Sequence, residues 1–147
     1  MKNLPISLQI CTLNEAENIE DCIKYCQNNS HPTEEIIIID GGSSDTTIDI
    51  VLRHKVRLIK AGRVGLAAQR QIGIENTQLP YVLILDADDR PEKDYFKKLY
   101  DQLLANSFDA ICGLTAPYEQ KSYWQKGWDN QSNNSIESSI VTSTNMI

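Results

Sequence analysis

The chain has 147 residues, 41% hydrophobic and 23% charged, with a net charge of −6. That length builds one domain with its own core. The acidic balance and the lack of a Lys/Arg-rich run leave little electrostatic case for nucleic acid or an anionic membrane as partner.

The first strand is expected over Leu4–Cys11, where Ile6, Leu8 and Ile10 alternate onto one face. Asn14 reads as the N-cap of the next helix, with Glu17 completing a capping box. Ile19, Cys22, Ile23 and Cys26 keep helical spacing, and 28–32 ends the helix. Glu35–Asp40 contains four consecutive isoleucines, the mark of a parallel strand covered on both faces. Gly41-Gly42-Ser43-Ser44-Asp45 leads into a helix over 46–54, and Val56–Lys60 is a short strand.

Gly65 opens a helix to about Asn76, and Tyr81–Leu85 is a fourth strand. Pro91 suits the first turn of a helix, whose apolar face would be Tyr95, Phe96, Leu99, Tyr100, Leu103 and Leu104. Asp109–Leu114 reads as a fifth strand. Tyr118, Tyr123, Trp124 and Trp128 then cluster before an Asn/Ser-rich stretch. That cluster stacks on a sugar, faces a membrane or belongs to a core left exposed. Residues 140–147 look like a further strand in which the chain ends. The alternation predicts an α/β protein, a mostly parallel sheet flanked by helices.

No apolar stretch is long enough to cross a bilayer. The first residues, Met1-Lys2-Asn3-Leu4-Pro5, lack a signal-peptide core. A cytoplasmic protein, or one at the cytoplasmic face of a membrane, is expected. The four cysteines form neither a disulfide framework nor a C-x-x-C motif. Cys22, Cys26 and His31 invite a zinc reading, but two small apolar residues on a buried helix face explain the pair better.

The chemistry concentrates at strand ends. Asp86 and Asp88 follow an apolar strand, and residues two apart on an extended segment point the same way. Paired carboxylates repel unless a cation lies between them, and a cation held by few carboxylates takes phosphate oxygens as further ligands. Asp89 can cap the following helix by itself. Asp40 ends the second strand and either accepts from a ribose or base or is a solvated strand-end acid. Residues 41–45 either cradle phosphate or form a turn with an N-cap. They lack the spacing of the dinucleotide fingerprint and of the P-loop. Arg70 reaches a diphosphate or is a solvated helix residue. Glu15 complements a helix dipole or contacts nucleotide. His31 and His54 suggest no catalysis.

Four blocks in register resemble the inverting glycosyltransferase family 2 of GT-A fold. They are Cys11-Thr12-Leu13-Asn14-Glu15, the run from Ile39 to Thr47, the run from Gly65 to Gly73, and Leu85-Asp86-Ala87-Asp88. The resemblance implies a GT-A, Rossmann-like domain with a nucleotide-sugar donor, UDP- or GDP-linked, and a divalent metal, Mn²⁺ or Mg²⁺. It implies nucleoside contacts from Thr12, Glu15 and Asp40, with Arg70 near the diphosphate. Asp86 would approach ribose and metal, and Asp88 would ligate the metal. Residues 1–115 would form the donor-binding domain and 116–147 an incomplete acceptor-side segment.

The family's general base lies in an acidic motif beyond a strand resembling 143–147, so it is expected after Ile147. Glu119, Asp129 and Glu137 are the tail's only acids able to stand in. The competing reading is therefore a nucleotide- and metal-binding fragment that lacks the base. An unrelated nucleotidyltransferase is disfavoured, because the first loop lacks a Gly-rich, basic character. The acceptor is not specified, and self-association through an unfinished sheet edge is an expected partner contact.

Overall fold

The structure, a computed structural model, describes residues 3–113. Four strands, β1 (Leu4–Thr12), β2 (Thr33–Asp40), β3 (Arg57–Lys60) and β4 (Tyr81–Asp86), form one sheet in the order β3-β2-β1-β4. Every pairing is parallel. Helices α1 (Ile19–Gln27), α2 (Thr47–Val51) and α3 (Leu66–Glu75) connect successive strands, and α4 (Tyr95–Asn106) follows β4. The chain divides into two compact units, Met1–Phe96 and Lys97–Ile147, and the sheet belongs wholly to the first.

Connectivity sets the position of the site. The chain winds outward from β1 through β2 to β3, then returns to place β4 on the other side of β1. The direction therefore switches beside β1, and the carboxyl ends of the strands there are the place where open α/β sheets bind ligands. Both faces of the inner strands are covered: Ile6, Leu8, Ile10, Ile37, Ile38 and Ile39 are all buried. This is the burial that the isoleucine run predicted. One face carries Cys11, Ile37 and Ile39, against which Ile59, Ala61 and Ile72 pack. Helix α1 buries Ile19, Cys22, Ile23 and Cys26, the four residues its spacing selects. Gly73 of α3 lies so close to β1 that a Cβ there would come within 2.4 Å of the Gln9 side-chain oxygen.

Several expectations need correction. The capping box does not form: α1 starts at Ile19 behind Asn18, and Asn14 takes a left-handed conformation (φ 57°). Asn tolerates that region, and its side chain is held by another loop. Helix α2 is only five residues long. It unwinds through i→i+3 bonds from the Arg53 and His54 amides to Ile50 and Val51. Pro91 precedes α4 by four residues and lies outside it. There the Glu92 carbonyl accepts from the Asn29 side chain and, in an i→i+3 turn, from the Tyr95 amide, while the Lys93 carbonyl accepts from Ser30, so the segment is a turn tied to residues 29 and 30. Of the expected apolar face on α4, Phe96 alone is buried. Residues 109–113 pair with no strand, and Cys112 is exposed there. The aromatic cluster, the acids Glu119, Asp129 and Glu137, and the strand expected over 140–147 lie outside the described residues. No helix among the described residues is long and apolar enough to cross a membrane.

Candidate functional site

The carboxyl ends of β1, β2 and β4 bring the predicted residues to one edge. In register, Thr12 pairs with Asp40 and Cys11 with Asp86. Asp40 is only 1% exposed. Its Oδ1 accepts from the Thr12 hydroxyl (3.2 Å) and the Ser43 hydroxyl, and its Oδ2 accepts from the Gly42 and Ser43 amides (2.9 and 3.0 Å). A carboxylate has about four acceptor positions, and loop donors take them all. The solvated-acid alternative for Asp40 is thereby excluded: it is the buried anchor of the loop.

The same loop answers the question of phosphate cradle or turn. The Gly41 N–H donates to the Thr12 carbonyl (2.9 Å), and the Ser44 N–H donates to the Asn14 side-chain oxygen (2.8 Å). All four amides from Gly41 to Ser44 are committed internally, so the segment is a turn. In return, the Asn14, Glu15 and Ala16 amides donate to Ser43, Thr47 and Asp45 side chains (2.9, 2.8 and 3.2 Å). The β1–α1 and β2–α2 loops are thus latched to each other. Sequence reasoning singled out Asp40 but missed the latch, because its partners are about thirty positions apart.

Asp45 also accepts from the Thr47 hydroxyl and amide (2.6 and 3.0 Å). The Thr47 hydroxyl first, then the Thr47 and Ala16 amides, hold its carboxyl below the usual range. A depressed folded-state pKa stabilises the fold above the ordinary carboxylate value, and that contribution is lost as pH falls through the depressed one. Asp45→Asn is expected to flatten the acid limb of the stability curve below about pH 4. Thermal midpoints of both proteins across the acid range would check this; parallel limbs would count against it.

Gln69 is a residue that spacing did not single out. It is buried on α3 beneath Gly41. Its amide nitrogen donates to the Ile39 and Thr12 carbonyls (2.7 and 3.3 Å), in the orientation the surrounding acceptors require. A Cβ on Gly41 would lie 2.4 Å from that amide. Gly41→Ala is expected to destabilise the fold by roughly 1–3 kcal/mol. Adding Gln69→Ala should cost less than the sum of the two single changes, as a urea-unfolding double-mutant cycle would measure.

At the other end of the edge, β4 finishes at Asp86 and turns through Ala87 and Asp88. Ala87 is buried while Asp86 and Asp88 are both exposed. The pair therefore opens to solvent, although a turn and not an extended strand arranges it. Arg70 Nη2 lies 3.3 Å from Asp86 Oδ1, and the Arg70 Nε is buried with no partner among the described residues. Asp89 accepts from the Asp86 amide (2.9 Å) and returns its own amide to the Asp86 carbonyl (3.1 Å), which closes the turn. Burial pushes the Asp89 carboxyl up; the Asp86 amide opposes this, and the Asp86 and Asp88 charges add to it.

Arg90, which the sequence reading passed over, donates to the Ala87, Asp89 and Asn18 carbonyls (3.3, 2.9 and 3.2 Å) and clamps the acidic turn to the start of α1. Cys22 donates to the Asp86 carbonyl (3.6 Å) from beneath. Burial raises the Cys11 thiol, with Arg70 opposing and Asp86 adding.

Glu15 accepts from the Asn18 side chain (3.0 Å). His31 Nδ1 is within 3.1 Å of its neighbour Ser30's hydroxyl. No cluster of three His, Cys, Asp or Glu side chains able to hold a metal occurs among the described residues, so Cys22, Cys26 and His31 form no zinc site. Asp86 and Asp88 are the residues that could hold a hard cation. They are two accessible carboxylates, with Asp88 free of internal partners among the described residues, and they leave coordination positions open to phosphate oxygens and water.

A parallel α/β sheet with acids at its carboxyl edge and a turn carrying Asp86 and Asp88 after the strand beside β1 defines an α/β domain with its ligand edge at the strand ends. The family model described as glycosyl transferase family 2 matches residues 7–142, and the chain belongs to that family. It is 31% identical over 112 residues to a cholesterol galactosyltransferase of Borreliella burgdorferi, covering 73% of this chain and 31% of that protein. It is 33% identical over 115 residues to a lipopolysaccharide core biosynthesis glycosyltransferase of Rhizobium meliloti, covering 75% and 40%. Among solved structures, glucosyl-3-phosphoglycerate synthase of Mycobacterium tuberculosis in complex with UDP aligns with a TM-score of 0.65 at 21% identity, over 78% of this chain and 45% of that one. S. aureus TarS 1-349 in complex with UDP aligns at 0.62 and 19% identity, over 78% and 38%. The chain therefore spans less than half the length of each of these proteins.

Proposed function

We propose that this chain binds the donor for an inverting transfer of a sugar from a nucleoside diphosphate sugar, UDP- or GDP-linked, to an acceptor hydroxyl. The observation that carries this reading is the open Asp86/Asp88 pair beside Arg70 at the carboxyl edge of a family 2 domain. Neighbours of the same fold, at 19 to 23% identity, hold UDP, UDP-GlcNAc or UDP with Mn²⁺. In this reading residues 1–115 form the donor-binding part and 116–147 belong to the acceptor side.

Asp88 and Asp86 would hold Mn²⁺ or Mg²⁺, which when bound neutralises charge developing on the departing diphosphate. Arg70 is already turned toward Asp86 through Nη2, and its half-exposed guanidinium carries further N–H groups for a phosphate oxygen. Thr12, Glu15 and Asp40 serve the nucleoside end. Asp40 does so chiefly by holding loop 41–45 in shape, since its acceptor positions are taken. In the transfer the acceptor oxygen bonds to the anomeric carbon from the face opposite the diphosphate. The bond to the diphosphate breaks, and a general base takes the hydroxyl proton.

A second reading, donor binding without transfer, is favoured by one observation. Asp40 and Asp45 at this edge accept four and three hydrogen bonds within the protein, which commits both carboxylates to holding loops. Calorimetry with UDP or GDP and Mn²⁺, followed by a turnover assay on a panel of nucleotide sugars, separates the readings. Binding with turnover supports the first, and binding without turnover the second. No nucleotide binding would sink both.

A further inference from the structure

We infer that Arg63 is a further donor-binding residue, one that stacks on the nucleotide's base and so contributes to the choice of donor; this rests on the function proposed above. The argument is positional. The strand ends run β4, β1, β2, β3 across the edge. Asp86 and Asp88 mark the β4 end, where diphosphate and cation belong. Arg63 follows β3 at the other end, three strand spacings away, or about 14 Å. A nucleoside extending from the phosphates over Thr12 and Asp40 brings its base to the loops after β2 and β3.

Those two loops are built against each other. Ala61 donates its amide to the Asp40 carbonyl (2.8 Å), and Val64 donates to Gly62 (2.9 Å). Gly42 and Gly62 both take positive φ, 93° and 72°. A Cβ on Gly42 would lie 3.2 Å from Arg63 Cγ and 3.4 Å from the Arg63 amide nitrogen. A bare glycine therefore lets the start of the Arg63 stem pass close to Gly42, two residues beyond Asp40.

The guanidinium at the end of that stem is unused. Arg57, Arg70 and Arg90 are each hydrogen-bonded within the protein. Arg63 is exposed and makes no hydrogen bond or ion pair among the described residues. A stem anchored at the far end of the site with a free planar head suits stacking on a base. A lysine ammonium is a point charge and substitutes poorly in that role.

The test is calorimetry of the 147-residue chain with Mn²⁺, using UDP, GDP and pyrophosphate on the parent, Arg63→Ala and Arg63→Lys. Because Arg63 is exposed, circular dichroism should show both variants folded. Arg63→Ala is expected to lose about tenfold in affinity for the nucleotide that binds and to keep the parent's affinity for pyrophosphate, with Arg63→Lys recovering only part. Unchanged nucleotide affinity in Arg63→Ala overturns the inference. So does an equal loss for pyrophosphate, which would assign Arg63 to the diphosphate, or full recovery with lysine. A parent chain that binds none of the three ligands overturns the proposed function and this inference with it.

Discussion

Asp88→Ala is expected to lower Mn²⁺-dependent nucleotide affinity by about 100-fold while leaving stability within about 0.5 kcal/mol of the parent. The asymmetry follows from the position of the side chain. Asp88 is exposed and makes no internal hydrogen bond among the described residues, so its loss removes a cation ligand and nothing the fold requires. Asp86→Ala should differ, because it also releases Arg70 from its 3.3 Å contact. Calorimetry of UDP with and without Mn²⁺, beside urea unfolding, reads both quantities. An Asp88→Ala protein that binds like its parent would remove the metal from this account.

Asp40→Ala should behave in the opposite way, with a stability loss of roughly 3–5 kcal/mol. Its carboxylate is the common acceptor for the Thr12 hydroxyl, the Ser43 hydroxyl and the Gly42 and Ser43 amides. Removing it leaves buried donors unpaired, each at a cost of about 1–3 kcal/mol. The latch between loops 13–16 and 43–47 should loosen with it, visible as faster hydrogen exchange at Asn14, Glu15 and Ala16. Asp40→Asn keeps an acceptor oxygen and the volume, so it should retain part of the loss. A change below about 1 kcal/mol in Asp40→Ala would show that water replaces the carboxylate easily, and the anchor role would fall.

The two acids looked alike in sequence, since each closes an apolar strand. Their different environments come from contacts that no local pattern encodes. Thr12 reaches Asp40 across 28 positions, and Arg70 reaches Asp86 across 16. The covered strands, the buried face of α1 and the D-x-D turn were legible because each rests on short-range periodicity. Asn14 was misread for the same reason: an Asn followed three residues later by Glu fits a capping box, yet its side-chain oxygen accepts from the Ser44 amide and its own amide donates to the Ser43 hydroxyl, which hold it left-handed. The strand expected over 109–114 does not form in its described residues, 109–113, since strand propensity is a weak local signal that tertiary context overrides. Gln69 and Arg90 were overlooked because a polar residue on a helix and a basic residue after a turn ordinarily point to solvent.

By itself the sequence determined the parallel α/β class, the order of the elements, and the strand-end acids with the family pattern around them. These depend on side-chain periodicity and on short motifs, which neighbours in the chain settle. Only the tertiary structure decided that Asp40 is a buried anchor while Asp86 and Asp88 stay open, and that loop 41–45 is a turn with its amides already bonded. It also decided that Arg63 stands after β3 with a guanidinium that has no partner among the described residues. Those outcomes depend on which distant donors and acceptors the β3-β2-β1-β4 order brings within 3 Å or so, a quantity that strand pairing sets and residue spacing does not contain.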